Sequence, residues 1–305
     1  MSDEVADATT ARGGRVVEGE VGVAALRALF VEAFATLRAK PRLRRSLAGW
    51  TAAGLVVTVV FAVGVGQLVS PRTALFSGLG ALGWFLVVEA VFVGGIPALV
   101  TPEGAVVDHY GWPNGLSAVR AWSCMPLVLC ASLPLPGRLS LILWLAVGAP
   151  IGLLDFVDGW IARRFGPVTQ LGKAIDPGGD AVYFTCAGIG NVLVGIVPVW
   201  MAVFLAVRYV GPLLGTPIVF FARRRPELVH TEWGRRNTFF VGVVLITEMF
   251  VKILGGPTDA VALALGIPLL VTTAVLHFVS LGVRMYHAPV VRPSRRERRE
   301  ERRPG

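Results

Sequence analysis

Four of the eight aspartates in this 305-residue chain fall between positions 155 and 180, with the spacing of ligands. Asp155 and Asp158 are three apart and Ala162 follows four later, so on a helix all three face one way. Gly172, Asp176 and Asp180 recur every four residues and share a face of their own. Carboxylates gathered at the edge of a hydrocarbon layer cannot all stay ionised uncompensated. Even on a lenient scale an unpaired charge at a membrane helix centre costs about 2.5–3.5 kcal/mol, and like charges at close range repel. Arg163 and Lys173 are too few to neutralise four acids, whereas divalent cations would. An oxygen-only donor set favours the hard ions Mg²⁺ or Mn²⁺. Two such ions sharing the carboxylates would clamp a diphosphate and stabilise both the attacking and the leaving oxygen of an in-line displacement. Gly159, Ala162 and Gly172 keep bulk off the same faces and let a ligand approach the helices. Tight helix packing through small residues is the competing explanation for them.

The elements that must carry these residues are membrane helices. The chain is 54% hydrophobic with a mean hydropathy of +0.66, and its 16% charged residues fall well below the roughly 25% of a soluble domain. Crossing the hydrocarbon core takes about 20 apolar residues in a helix. Stretches near 47–69, 74–100, 117–136, 139–160, 176–197, 199–221, 238–255 and 260–283 meet that test, which predicts an all-α polytopic bundle. Asp155 and Asp158 would end the fourth span and Asp176 and Asp180 open the fifth, so a short connection brings both pairs to one membrane boundary. Twenty-four Lys and Arg fall on the side that holds the N-terminal segment, the 161–175 and 222–237 connections and the C-terminal tail, while only Arg72 and Arg138 lie opposite. That bias predicts cytoplasmic termini and aspartates facing the cytoplasm.

Composition also excludes other classes. Hydrophobicity this high rules out a disordered chain, and Cys124, Cys130 and Cys186 all lie in apolar stretches without metal or disulfide spacing. The net charge of +9 is not interleaved with stacking aromatics, so nucleic acid is not an expected partner; anionic lipid or a phosphorylated substrate is. No cleavable signal peptide is expected in the polar residues 1–20. Over 21–40, Leu26, Phe30, Phe34 and Leu37 fall at helical spacing, which suggests an amphipathic helix on the membrane surface, with a loosely ordered tail as the alternative. The basic run 292–303 reads as a solvated tail or a contact for anionic headgroups.

The aspartate pattern resembles the signature of the CDP-alcohol phosphatidyltransferases, D-x-x-D-G-x-x-A-R, eight residues, G-x-x-x-D-x-x-x-D, and every fixed position is present at the right spacing. Upstream, Pro113-Asn114-Gly115-Leu116-Ser117-Ala118-Val119-Arg120 is similar to the P-N-x-[LI]-[ST]-x-x-R that opens that family's six-helix core. The resemblance divides the chain into a cytoplasmic segment 1–46, an additional transmembrane helix pair 47–100, a family core 101–285 and a basic cytoplasmic tail 286–305. It implies that Asp155, Asp158, Asp176 and Asp180 hold two Mg²⁺ or Mn²⁺ ions, with Asp180 also the general base. Gly159, Ala162, Arg163 and Gly172, together with Asn114 and Ser117, would border the cytidine nucleotide. The implied reaction moves a phosphatidyl group from CDP-diacylglycerol to a small alcohol and releases CMP, in phospholipid biosynthesis at a bacterial plasma membrane.

The run Thr169-Gln-Leu-Gly172-Lys-Ala-Ile-Asp176-Pro177 is most similar to phosphatidylglycerophosphate synthases and eukaryote-type cardiolipin synthases, although Gly178, Gly179 and Ala181 depart from their pattern. Glycerol 3-phosphate is therefore the leading acceptor, with phosphatidylglycerol and inositol phosphate as alternatives. Arg120, Arg164, Lys173, Arg223 and Arg235 are the candidates for an acceptor phosphate, because cationic side chains suit that group; most of them also set topology. Arg120 would either snorkel or meet a phosphate. A divalent-cation transporter remains a reading from another class, and so does a silent scaffold. The expected partners are CDP-diacylglycerol, the acceptor alcohol and the bilayer, with a homodimer left open. Among the remaining polar residues, Glu89 is expected to be paired within the bundle. Glu248 and Lys252 would form a helical ion pair, and His277 would be a satisfied core residue.

Overall fold

The computed structural model describes residues 23–135, 138–148, 150–152, 154, 161, 164, 168–221 and 231–287, and no strand occurs among them. The chain divides into two compact units, Met1–Tyr183 and Phe184–Gly305. The first holds α1 (Val23–Ala39), α2 (Pro41–Leu68), α3 (Pro71–Gly94), α4 (Trp112–Ala131) and α5 (Leu139–Leu143), the last widening into a π-helical stretch at Trp144–Gly148. The next helix, α6 (Gln170–Leu193), begins in the first unit and ends in the second. The second unit adds α7 (Val199–Phe221), α8 (Glu232–Ile253) and α9 (Thr258–His287), with a π-helical stretch over Ala262–Val271 around Pro268.

Three of these helices are long and apolar enough to cross a membrane among the described residues: Pro41–Leu68, Pro71–Gly94 and Thr258–His287. They correspond to the expected spans 47–69, 74–100 and 260–283. The expected spans around 117–136, 176–197, 199–221 and 238–255 also form helices, but with shorter apolar runs or more polar residues. Part of the expected span 139–160 lies outside the described residues.

Helix ends depart from the apolar limits for identifiable reasons. The first apolar run is extended back to Pro41, since proline at the first helical position is favourable and a basic turn can precede the membrane portion. At Ser70 the hydroxyl accepts the Thr73 amide at 3.1 Å and starts α3. That helix stops at Gly94 rather than 100, because Pro97 cannot continue an α-helix, and a single 3₁₀ turn over Ile96–Ala98 follows. Before α4 the chain passes through Gly111 at φ +79°, a left-handed conformation that glycine allows, and the helix opens five residues before the apolar run.

The first unit has one hydrophobic core. Ala33 and Leu37 from α1, Leu43 and Leu47 from α2, Phe85, Val88 and Phe92 from α3, Ala118 and Trp122 from α4 and Leu171 from α6 all belong to it. Small residues allow the close approaches: a Cβ on Gly78 would lie 3.1 Å from that of Ala62, and one on Gly54 would lie 2.6 Å from the Trp122 ring. Polar groups are paired across the same helices. Trp84 Nε1 donates to the Ala121 carbonyl at 2.8 Å, and Thr51 Oγ1 donates to Glu89 at 2.6 Å, the pairing expected for that acid. In α1 the expected amphipathic helix forms, but its apolar residues are divided. Leu37 turns into the core, Phe30 is half-buried, and Leu26, Val31 and Phe34 remain exposed.

The second unit buries a polar network. Arg208 Nε donates to Asn237 Oδ1 at 2.9 Å, and Asn237 Nδ2 donates to Thr273 Oγ1 at 2.8 Å and to the Leu270 carbonyl at 2.9 Å. Thr231 caps α8 by accepting the Gly234 amide at 2.9 Å, and its hydroxyl meets His277 Nδ1 at 2.5 Å, so His277 is a satisfied core residue as expected. The expected Glu248–Lys252 ion pair does not form. Glu248 is fully buried with neither carboxylate oxygen hydrogen-bonded, while Lys252 Nζ lies against Gly195. The i,i+4 rule describes exposed helix faces, whereas burial here separates the two side chains.

An orphaned buried carboxyl costs about 1–3 kcal/mol, and an apolar side chain of similar length removes that cost. Glu248→Met is therefore expected to raise the thermal unfolding midpoint by several degrees, measured by tryptophan fluorescence in detergent. A lowered midpoint would show that Glu248 is contributing stability.

Candidate functional site

The described part of the site is the first turns of α6 and the face of α4 beside them. Thr169, almost fully buried, starts α6: its hydroxyl accepts the Gly172 amide at 3.1 Å and its carbonyl accepts the Lys173 amide at 3.2 Å. The Gln170 amide, which has no partner within the helix, donates to the Val100 carbonyl at 2.8 Å. Thr169 Oγ1 also donates to Asn114 Oδ1 at 3.3 Å, and Asn114 Nδ2 donates to the Tyr110 carbonyl at 2.8 Å. Asn114 thus links the start of α4 to the start of α6. Ser117, one turn on, donates to the Pro113 carbonyl at 3.1 Å. Gly172 sits where a Cβ would be 3.3 Å from Asn114 Oδ1, so close packing against α4 is one reason for glycine there.

From Gly172 the helix carries Asp176 and then Asp180 on the same row, and the two differ in surroundings. Asp176 is exposed, whereas the Asp180 side chain is one-third exposed and paired with Arg120, Nη2 to Oδ1 at 3.0 Å. Arg120 itself is 3% exposed, so the guanidinium does not snorkel; it turns inward to the acid. Its Cζ lies 5.7 Å from the centre of the Tyr183 ring, within cation–π range. A Cβ on Gly179 would stand 3.2 Å from Arg120 Nη2, which accounts for a glycine at one of the positions that depart from the family run. Neither Tyr183 nor Gly179 is recognisable as part of the site from the sequence. Tyr183 stands three residues after Asp180, a spacing with no chemical signature of its own, and Gly179 matters only once Arg120 is known to turn inward.

The other candidates are placed as follows. Asp155, Asp158, Gly159, Ala162, Arg163 and Arg223 lie outside the described residues. Arg164 and Lys173 are exposed in the first unit, and Arg235 is exposed in the first turn of α8. A hydrogen bond from Thr101, with a smaller contribution from Lys173, holds the exposed Glu103 carboxyl below its ordinary range. His109 Nδ1 meets Asp108 at 3.0 Å, and Asp108 also meets Arg42 at 3.4 Å. Among the described residues no group of three or more His, Cys, Asp or Glu is gathered for a metal ion. The carboxylates of Asp176 and Asp180, a turn apart on one helix row, fit a hard divalent cation by donor type.

Among the described residues this is a helical chain with membrane-spanning segments, in which α6 carries Asp176 and Asp180 and α4 supplies Arg120 to the second of them. Residues 110–284, more than half of the sequence, match the CDP-alcohol phosphatidyltransferase family, and the chain belongs to that family. The family uses divalent metal ions. Over 138 residues the chain is 32% identical to a "probable phosphatidylglycerophosphate synthase" of Mycobacterium tuberculosis, covering 45% of this chain and 61% of that relative. Over 64 residues it is 34% identical to the "cardiolipin synthase (CMP-forming)" of Streptomyces coelicolor, covering 21% of this chain and 30% of that relative. The chain therefore spans about three fifths of the length of the first of these curated relatives. No solved structure matches it.

Because Arg120 is buried against Asp180, removing the guanidinium takes a close cationic partner from that carboxylate. Arg120→Met is expected to lower the unfolding midpoint, and Asp180→Asn in that background to cost less than it does alone, with a coupling of about 1–2 kcal/mol. Strictly additive midpoints would mean the pair is not formed in solution.

Proposed function

We propose that the protein transfers a phosphatidyl group from CDP-diacylglycerol to a small alcohol and releases CMP, with glycerol 3-phosphate as the acceptor. The observation that carries this reading is the complete aspartate signature, with Asp176 and Asp180 on one row of α6 and Asp180 held by Arg120 from the helix of the second motif. Asp155, Asp158, Asp176 and Asp180 would hold two Mg²⁺ or Mn²⁺ ions. When bound, the metal supplies charge neutralisation at the diphosphate and stabilises the leaving phosphate. Asp180 would take the proton of the acceptor hydroxyl as the new phosphorus–oxygen bond forms. Arg120 would fix the carboxylate that does so, and the field of its positive charge would favour an acceptor phosphate brought beside Asp180. Gly159, Ala162, Arg163 and Gly172 would border the nucleotide. Asn114 contributes by bracing Gly172, and Ser117 stands on the same helix.

Glycerol 3-phosphate is favoured by the Thr169–Pro177 run and by the name of the mycobacterial relative. Arg164, Lys173, Arg223 and Arg235 would supply further positive charge for its phosphate. The similarity to a cardiolipin synthase supports phosphatidylglycerol as the second acceptor to test. The charge bias of the loops supports a plasma-membrane orientation with both termini and the acidic centre on the cytoplasmic side.

The purified full chain, supplied with Mn²⁺ or Mg²⁺, labelled CDP-diacylglycerol and a panel of alcohols, is expected to release CMP with glycerol 3-phosphate and not with inositol phosphate. Release with phosphatidylglycerol alone would transfer the assignment to cardiolipin formation, and release with no alcohol would end it. Asp180→Asn is expected to insert and bind CDP-diacylglycerol but to lose at least about 10²-fold in turnover, the usual contribution of a general base.

A further inference from the structure

Among the described residues the helices that precede the second motif, α1 to α3, place no carboxylate beside Asp176 and Asp180, yet they share one core with α6. We infer that they are a positioning device that fixes the rotation of the helix carrying Asp176 and Asp180. The inference rests on those two aspartates being metal ligands.

Two adjacent rows run along the start of α6. One is Leu171 and Ile175; the other, one residue further on, is Gly172, Asp176 and Asp180. Successive residues on a helix are about 100° apart, so burial of the first row determines where the second points. Leu171 is 2% exposed and Ile175 packs against the same core. The seat for Leu171 is Gly95, at the end of α3, where a Cβ would collide with Leu171 Cδ1. Gly95 has an ordinary right-handed backbone, φ −74°, so what the position requires is the absence of a side chain rather than an unusual conformation. Five residues later the Val100 carbonyl accepts the Gln170 amide and holds the height of the helix as Leu171 holds its rotation.

The seat is itself fixed from the far side. Gly94 faces α1, where a Cβ would be 3.5 Å from both Leu29 and Phe30. On α2, the Trp50 ring covers Gly115, between Asn114 and Ser117, so closely that a methyl group could not be added. Both motif-bearing helices are thus set against the additional helices through close contacts, at Gly95 and Gly115, where an added methyl group would force Leu171 or Trp50 to move.

The test uses the full chain in detergent micelles and four variants: Gly95→Ala, Leu171→Ala, the double variant, and Gly83→Ala, where an added methyl meets nothing within 4 Å. Two quantities are read, hydrogen exchange of the peptide 168–183 and the Mn²⁺ concentration giving half-maximal transfer. Gly95→Ala is expected to speed exchange in that peptide and raise the Mn²⁺ requirement about tenfold, since displacements of about 1 Å are enough for such losses. Gly83→Ala should change neither. The double variant should recover part of both effects, because removing Leu171 Cδ1 relieves the collision. Gly95→Ala behaving as Gly83→Ala, or additive losses in the double variant, would overturn the inference. Should Gly95→Ala fail to fold, Leu171→Ala must still speed exchange of the peptide, and unchanged exchange there overturns the inference equally. If the wild type transfers nothing, the functional reading fails while the exchange measurements still decide whether Gly95 sets α6.

Discussion

A charge taken out of water must be met by another charge or by a full set of hydrogen bonds, and in a chain this apolar that requirement determines where its polar residues go. Arg120 and Asp180 show it most directly. The arginine is buried, the aspartate is partly open, and the opposite charges meet at 3.0 Å. Arg208 is accommodated differently, with Asn237 accepting its Nε and passing the chain of hydrogen bonds to Thr273 and Leu270. Glu89 has one oxygen engaged by Thr51 and the other buried without a partner, and Glu248 has neither engaged. The first pair joins the two family motifs, while the incompletely satisfied acids belong to neither motif in the sequence.

Glycine decides how closely these groups approach. At Gly179 the missing side chain makes room for the Arg120 guanidinium, and at Gly172 for the Asn114 amide. At Gly54, Gly95 and Gly115 it makes room for Trp122, Leu171 and Trp50. In a membrane, where apolar burial does not distinguish protein from lipid, such contact is a main source of helix association. The same glycines therefore serve ligand access and packing together, so the two explanations for Gly172 do not exclude each other.

Much of this was legible in the residues themselves. Aspartates at helical spacing, the charge bias of the loops and the length of the apolar runs follow directly from the sequence, and the helices formed where apolar runs occur. Helix ends were less legible, because hydropathy registers the membrane portion and not the polar turn that precedes it, as at Pro41, Trp112 and Gln170. The partner of Arg120 could not be read, since it lies sixty residues away on another helix. The Glu248–Lys252 pair fails to form for a related reason: a one-dimensional spacing rule fixes which side chains can meet on an isolated helix, while neighbouring helices decide whether they do.

The position of the family match, beginning at residue 110, suggests a chain made of an added segment and a separable core. The packing argues otherwise for the first unit. Residues on both sides of position 100 line a single apolar interior, and the amide at the head of α6 is satisfied by the Val100 carbonyl. Were the added helices a passive anchor, polar or bulky residues at Gly95 and Gly115 would be tolerated at little cost, with lipid filling the gaps. Instead, the buried Leu171 and the half-buried Trp50 occupy those glycine seats, and each contact involves a helix that bears one of the two motifs. A helix that must present Asp176 and Asp180 in one direction benefits from having its adjacent row buried, because rotation would then expose Leu171 and break the Gln170 hydrogen bond together.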